Sequence, residues 1–561
     1  MAAQMSLRKA MTISTSMTLS SPHSSSNSLS FKRFLVLLLA GGILLSVAYA
    51  LVHLYAMGEY AIAIVTLILG LSSAYLLYDQ AATGWRFIYP AMVLVFLLML
   101  FPIVYSVTIA FTNYSSKNLL TYERTVSYLL EQTYAEKAER LRFSLHAVGE
   151  QHQLFLKDKH GNQFATAPFN LPDKPKDDEL AQLMELPLQA TSESPPNEAL
   201  KMRDVIKVRS ALKQLRLTRE GEAPLSMLGM REFLPLLPQY EVASDTNLPL
   251  PDRSTDLLLD KQSNRYLQAN YDTGFFAYLD EKGDFTDDIV TPGFVTQVGF
   301  ANFLDVFGMA EERWALLKIT LWTISFAFLT VLMQFSLGML LASILNWHRI
   351  KGQRILRTLL IVPFAVPGFI SIMIFRAMFN TDFGEVNALL EYLFGVKLDW
   401  YYNPWLAKLQ VLLVNLWLGF PYFMLLCMGM LKSIPEDLYE AANMDGAGTW
   451  YKLRYITLPM IIKPIVPLLI LSFTFNFNNF NVIFLLTAGG PMMENVSAQI
   501  GDTQLLIHYI YGLVKGHTLG YEAYGLGSAL SAYLFLFIAS ISLWQFWLTR
   551  EKTKSREAVE V

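Results

Sequence analysis

The chain has 561 residues, 53% of them hydrophobic and only 16% charged, where ordinary soluble proteins carry roughly 25% charged residues, so lipid is one of its solvents. A formal net charge of -3 supplies no strong field of one sign and removes any compositional case for a nucleic-acid partner. The single cysteine, Cys427, excludes an intramolecular disulfide framework and any cysteine-built metal cluster.

Residues 1–33 are serine-rich, with Arg8 and Lys9 early and no acidic residue. They bury too little apolar surface to offset the entropy of ordering and read as a disordered cytoplasmic N-terminal tail. An organelle transit peptide is the weaker alternative, given so few early basic residues. The apolar run at 34–54 is too long for a signal-peptide core and close to the 20 or so residues that cross a hydrocarbon layer. Runs at 60–78 and 87–111 follow, separated by turns around Met57-Gly58-Glu59 and at 79–86, so 34–111 is expected to hold transmembrane helices 1–3.

The character changes over 112–313. A charged run at 174–179 and hairpin signals at 157–162 and 281–284 lie between alternating apolar segments, which predicts a mostly β soluble domain of roughly 200 residues. Lacking cysteine, it must be held by its own core. Five further apolar stretches, at 314–345, 355–379, 409–431, 465–488 and 526–548, complete a permease core at 314–549, and 550–561 forms a cytoplasmic C-terminal tail.

Eight spans put both termini on one side, and lysine and arginine say which, because short cytoplasmic loops retain positive charge. Arg8, Lys9, Lys32 and Arg33 precede the first span; Arg349, Lys351, Arg354 and Arg357 follow the fourth; Lys432, Lys452, Arg454 and Lys463 lie between the sixth and seventh; Arg550, Lys552, Lys554 and Arg556 follow the last. All four groups fall on the same, cytoplasmic side. The 112–313 domain and the acidic or neutral connection at 382–399 then face outward.

Between the sixth and seventh spans, at 434–459, lies Glu440-Ala441-Ala442-Asn443-Met444-Asp445-Gly446-Ala447-Gly448, followed by Ile456-Thr457-Leu458-Pro459. Pro435 opens a short helix, Asp445-Gly446 breaks it, and Pro459 is expected to end a second one. Ala441, Ala442, Gly446 and Ala447 leave little side-chain relief, so another protein can approach the backbone closely. This pattern resembles the EAA loop of the binding-protein-dependent permeases of ABC importers. In that family the loop docks into the ATP-binding subunit, and the resemblance implies Glu440, Ala441, Ala442, Asp445, Gly446 and Ala447 as the coupling residues. No Gly-x4-Gly-Lys-Ser/Thr phosphate loop occurs; Gly512 to Thr518 has the wrong order. ATP hydrolysis is therefore expected on another chain: no enzyme here, no cofactor on this chain, and ATP and Mg on partner subunits.

The seventh span carries Asn476, Asn478, Asn479 and Asn481 in an otherwise apolar run. Amides facing lipid would go unsatisfied, so they should face a cavity or another helix. Ser472, Asn476 and Asn479 fall at i, i+4 and i+7, one helical face, and Asn415, Gly419 and Tyr422 repeat that spacing in the sixth span, with Pro421 able to kink it. Amides beside aromatic rings suit a neutral sugar. The same amides equally suit glue between helices, and the residues alone leave both open. Lys318 and Arg376 lie near span ends, where snorkelling to the interface is expected. Cys427 reads as a small core residue, and the eight histidines form no His-x3-His pair, so no metal site is expected.

Strings from Asn415 to Tyr422, from Ser472 to Phe480, at Gly489-Gly490-Pro491, from Phe111 to Ser116 and from Phe383 to Asn387 resemble the larger membrane subunit of maltose/maltodextrin ABC importers. The resemblance runs from about the first span to the last. It implies a mainly α membrane protein of eight transmembrane helices, an ABC type I importer permease, with the mostly β periplasmic domain inserted between helices 3 and 4. It further implies sugar contacts at Asn415, Gly419, Tyr422, Ser472, Phe475, Asn476 and Asn479. The implied partners are a second, MalG-like permease, two MalK-like ATP-binding subunits and a periplasmic maltose-binding protein. Asn481 stands where that family has an apolar residue. A permease for another oligosaccharide or polyol, or a membrane receptor or assembly protein, are the rival expectations.

Overall fold

The computed structural model describes residues 26–57, 60–78, 83–135, 140–171, 185–192, 194–219, 222–229, 231–243, 250, 255–308, 313–347, 350–494 and 499–557. Most of the expected N-terminal tail, the charged run at 174–179, Gly58-Glu59, 79–82, Arg349 and 558–561 lie outside the described residues. The chain divides into two compact units, 1–106 and 107–561, which are taken separately.

In the first unit the helix Ser26–Ala56 begins inside the stretch expected to be disordered. Once the apolar run has nucleated a helix, adding residues at its end costs little. It packs along Tyr60–Tyr78, and Val47 comes so close to Gly70 that no Cβ would fit there. The Tyr89 hydroxyl donates to the Leu69 carbonyl at 2.9 Å and ties in the next helix, Thr83–Val95. A π-helical turn, Phe96–Leu100, leads into the helix Phe101–Ile109. Pro102 has no N–H and crowds the preceding turn, which the wider π turn relieves.

The second unit opens with the β domain. Its first strand, Asn118–Leu120, pairs in parallel with its last, Gly293–Phe294, so the chain enters and leaves side by side. Asn118 fixes this neck: its amide donates to the Gly274 carbonyl at 2.8 Å, and a Cβ on Gly293 would collide with that same carbonyl. Among the described residues the other strands form an eight-stranded and a five-stranded sheet. The five-stranded sheet is an antiparallel meander from Tyr240–Val242 to Phe285–Val290. Its hairpin turns are made by Asp and Asn side chains that accept backbone N–H groups two to four residues on: Asp280 takes Lys282 and Asp284, and Asp158 does the same for His160 and Asn162 in the larger sheet. Both expected hairpins are therefore present. Leu145, Leu154, Leu212 and Phe233 fill one core, and Leu258, Leu267, Phe276 and Phe294 another.

At the end of the strand Leu257–Asp260 of the five-stranded sheet lies a buried carboxylate, Asp260, 3% exposed. Burial alone would raise its pKa, but the Ser263 and Tyr278 hydroxyls and the N–H groups of Gln262 and Ser263 donate to it and hold it below the usual carboxylate range. Tyr278 is pushed up, first by burial and then by the same bond.

The rest is helical. Among the described residues of both units, six helices are long and apolar enough to cross a membrane: Phe34–Ala56, Phe87–Ile109, Arg313–Leu345, Pro404–Leu431, Thr449–Phe477 and Tyr524–Trp547. A bent pair, Gln353–Ala365 with Gly368–Met378, can make a seventh, and Ile62–Leu76 is a shorter apolar helix. The fifth apolar stretch, expected at 355–379, is thus built of two helices meeting at 92°. Pro367 disfavours helical geometry at the residue before it, and Val366 is extended at φ -91°, ψ 129°.

The seventh span is corrected. Pro459 does not end a helix but lies in one continuous segment, Thr449–Phe477, because a π turn at Leu453–Thr457 absorbs the missing N–H. That segment stops at Phe477, and a separate helix, Phe480–Leu486, follows. Pro421, by contrast, sits inside the unbroken helix Pro404–Leu431. The last helix, Tyr524–Glu557, runs past the expected start of a tail at 550. Arg550, Glu551, Lys552 and Lys554 all favour helix.

Candidate functional site: a neutral polar cavity and an exposed loop

Four helical segments and two breaks line an open cavity of about 700 Å³. The Arg313–Leu345 helix supplies Gln334; the bend supplies Pro363, Phe364, Val366, Gly368 and Phe369; the Pro404–Leu431 helix supplies Asn415, Gly419 and Tyr422. The Leu458–Phe477 helix supplies Ser472, Phe475 and Asn476, the break after it supplies Asn479, and the next helix, Phe480–Leu486, supplies Asn481. All seven residues expected at a sugar site thus line one cavity, and no Asp, Glu, Lys, Arg or His is among the described residues that line it.

The amides are linked. Asn415 Nδ2 donates to Asn476 Oδ1 at 2.8 Å, Asn479 Nδ2 donates to Asn415 Oδ1 at 3.4 Å, and Asn476 Nδ2 turns back to the Ser472 carbonyl at 2.9 Å. Asn415 and Asn476 are buried, while Phe475, 73% exposed, and Tyr422, 40%, present their rings to open space. The expectation that Ser472, Asn476 and Asn479 share one helical face is corrected, since the helix ends before Asn479. Asn479 instead caps the next helix, its side chain accepting from the Val482 N–H at 3.4 Å. In a run of asparagines the side chains compete with the backbone for hydrogen bonds, so a helix stops there readily. The break turns Asn479 back toward Asn415.

Sequence reasoning missed Gln334 and Thr330. Gln334 Nε2 donates to the Asn415 carbonyl at 2.7 Å, and Thr330 Oγ1 lies 3.4 Å from the Asn415 amide. A signal existed: Thr323, Thr330 and Gln334 fall at i, i+7 and i+11, one face of the helix, and all are buried. Gly419 admits Gln334, whose amide would collide with any Cβ at that position. Arg376, expected only to snorkel, donates from Nη1 to the Leu485 carbonyl at 3.1 Å and ties the outer limb of the bend to the helix Phe480–Leu486. Lys318 rests 5.9 Å from the Trp314 ring.

The loop after Leu431 is the second feature. Pro435 precedes the helix Glu436–Met444, none of whose residues is buried. Gly446 closes it at φ +77°, a left-handed conformation that glycine adopts without strain, and the Ala447 N–H bonds the Ala442 carbonyl at 2.9 Å. Glu440, Ala441, Asp445 and Gly446 are exposed; Ala442 and Ala447 are half-buried. The Tyr439 and Thr457 hydroxyls, 2.9 Å apart, pin this helix to the one entering the membrane. Met444 and Trp450, 89% and 73% exposed, add an apolar rim that the sequence reading did not single out.

A multi-pass membrane core with broken helices around a neutral polar cavity, an inserted β domain and a small-residue loop left bare define a binding-protein-dependent membrane permease. A family model described as "Binding-protein-dependent transport system inner membrane component" matches residues 334–554, and one described as "Maltose transport system permease protein MalF P2 domain" matches 120–299. The maltose/maltodextrin transport system permease protein MalF of Klebsiella aerogenes is 38% identical over 514 residues, 91% of this chain and 96% of that protein. Those of Vibrio cholerae, 39% over 503 residues (90% and 92%), and of Escherichia coli K12, 38% over 510 residues (91% and 95%), are similar throughout. The chain belongs to the MalF family.

Proposed function

We propose that this chain is the larger membrane subunit of an ATP-binding-cassette importer that moves maltose and maltodextrins into the cytoplasm by alternating access. The observation that carries this is the cavity: amides and aromatic rings with no ionised side chain suit an uncharged, hydroxyl-rich solute with two apolar ring faces. Asn415, Gly419, Tyr422, Ser472, Phe475, Asn476 and Asn479 contact the sugar. Glu440, Ala441, Ala442, Asp445, Gly446 and Ala447 form the docking loop through which ATP-driven closure reaches the helices, and Pro435 and the Tyr439–Thr457 contact make it stiff enough to transmit motion.

The chain performs no chemistry on the sugar. ATP and Mg act on two MalK-like subunits, a MalG-like permease completes the path, and a periplasmic maltose-binding protein delivers sugar to the β domain. In the inner membrane the bent pair and the short Ile62–Leu76 helix complete eight spans, with 112–313 inserted after the third and both termini cytoplasmic.

Sugar-dependent ATPase activity in membranes reconstituted with all partners tests the assignment; activity that persists without this chain overturns it. In the same system Glu440→Lys abolishes sugar-stimulated hydrolysis while the complex still assembles, and unchanged stimulation refutes the docking loop. Asn476→Ala lowers uptake about tenfold, from the loss of about one hydrogen bond. Loss of the assembled complex instead makes the amides glue between helices.

A further inference from the structure

Asn481 differs from the other amides of the cavity. Asn415, Asn476 and Asn479 already bond one another, so a sugar hydroxyl that takes one of them must replace a protein bond. Asn481 lines the same cavity, is exposed, and makes no side-chain hydrogen bond among the described residues. A hydroxyl bound there displaces only water, and the exchange leaves no protein group unpaired.

An aromatic ring accompanies it. Phe369 lines the cavity at the start of the Gly368–Met378 helix and is 62% exposed. That helix packs on Phe480–Leu486, where Ile372, one turn on from Phe369, shares a core cluster with Val482, the neighbour of Asn481. Phe364, half exposed across the bend, faces the same space. A free amide with exposed rings nearby is what one pyranose requires: a donor and acceptor for its hydroxyls and an apolar surface for its C–H face. In the proposed topology Asn481 lies five residues further outward along the chain than Asn476.

We infer that Asn481 and Phe369 form an additional subsite for one more hexose ring on the outward side of the linked amides, so that this pair sets the preference of the permease for longer glucose oligomers. The inference rests on the cavity being the sugar path. Its test is uptake of maltose and maltotetraose by the complete complex in proteoliposomes. Asn481→Leu and Phe369→Leu lower uptake of maltotetraose about tenfold and of maltose less than twofold, the loss of about one hydrogen bond or ring contact. Asn481→Gln keeps the wild-type ratio. If Asn481→Leu does not assemble, Asn481→Ser is read in the same ratio.

Equal losses for both sugars, or no loss, overturn the subsite. Asn476→Ala separates this from the underlying assignment: uptake of every sugar unchanged in that variant removes the cavity as the path. A fall for every sugar, with the Asn481 ratio unmoved, removes only the subsite.

Discussion

The β domain and the membrane core bury opposite things. In the domain Leu145, Leu154, Phe233, Leu267 and Phe276 turn inward, while the core leaves Phe328, Leu340, Leu543 and Trp544 exposed and keeps Gln334, Asn415 and Asn476 inside. Both obey one rule, that each surface matches its solvent, and the rule inverts when the solvent is lipid. The polar groups chosen differ as well. The domain tolerates a buried carboxylate because four donors converge on Asp260, whereas the polar centre of the core is built from the linked amides Asn415 and Asn476, each able to satisfy the other without a counter-charge.

The largest effect that would break this contrast is in the domain. Phe276→Ala empties a fully buried site and costs about 3–5 kcal/mol, read as a drop in the protease resistance of the β domain in the intact chain; unchanged resistance would deny that its own core holds it. Next, Gly419→Leu forces a side chain into the space of the Gln334 amide and costs about 1–3 kcal/mol. Uptake then falls at least tenfold, and normal uptake would mean that the two helices need not approach so closely. Gln334→Leu, removing one inter-helix bond worth about 0.6–2 kcal/mol, raises the sugar KM while complex yield holds. A fall in yield with KM unchanged would make Gln334 structural alone.

The smallest effect is a pH dependence. The folded pKa of Asp260 lies below its unfolded value, near 3.9 for an ordinary aspartate. Its contribution is therefore fully present above that unfolded value and is lost as pH falls through the folded one. Unfolding of the domain followed from pH 6 downward should show this loss below about pH 4, and Asp260→Asn should flatten it; identical profiles would mean that the donors to Asp260 do not stabilise its charge.

The membrane runs, the β character of 112–313 and the turns around Asp158 and Asp280 were legible because hydropathy and turn chemistry act over a few residues. The breaks were not. Pro363 and Pro367 sit in a run apolar enough to read as one span, and whether a proline bends a helix depends on its neighbours: Pro421 is carried through, Pro459 is absorbed by a π turn, and Val366 before Pro367 is not helical. The cavity was half legible. Its asparagines stood out against apolar neighbours, but Thr330 and Gln334 were passed over because threonine is common in spans and one glutamine is a faint signal. That Asn479 would meet Asn415 across a chain break depends on packing between segments 64 residues apart.

The side-by-side strands Asn118–Leu120 and Gly293–Phe294 make the β domain a cassette hung from a narrow stalk. Since its two ends exit together, its outline can grow, shrink or change sequence without altering the spacing of the helices on either side. Selection can thus reshape the surface of the domain while the cavity among the helices keeps its dimensions.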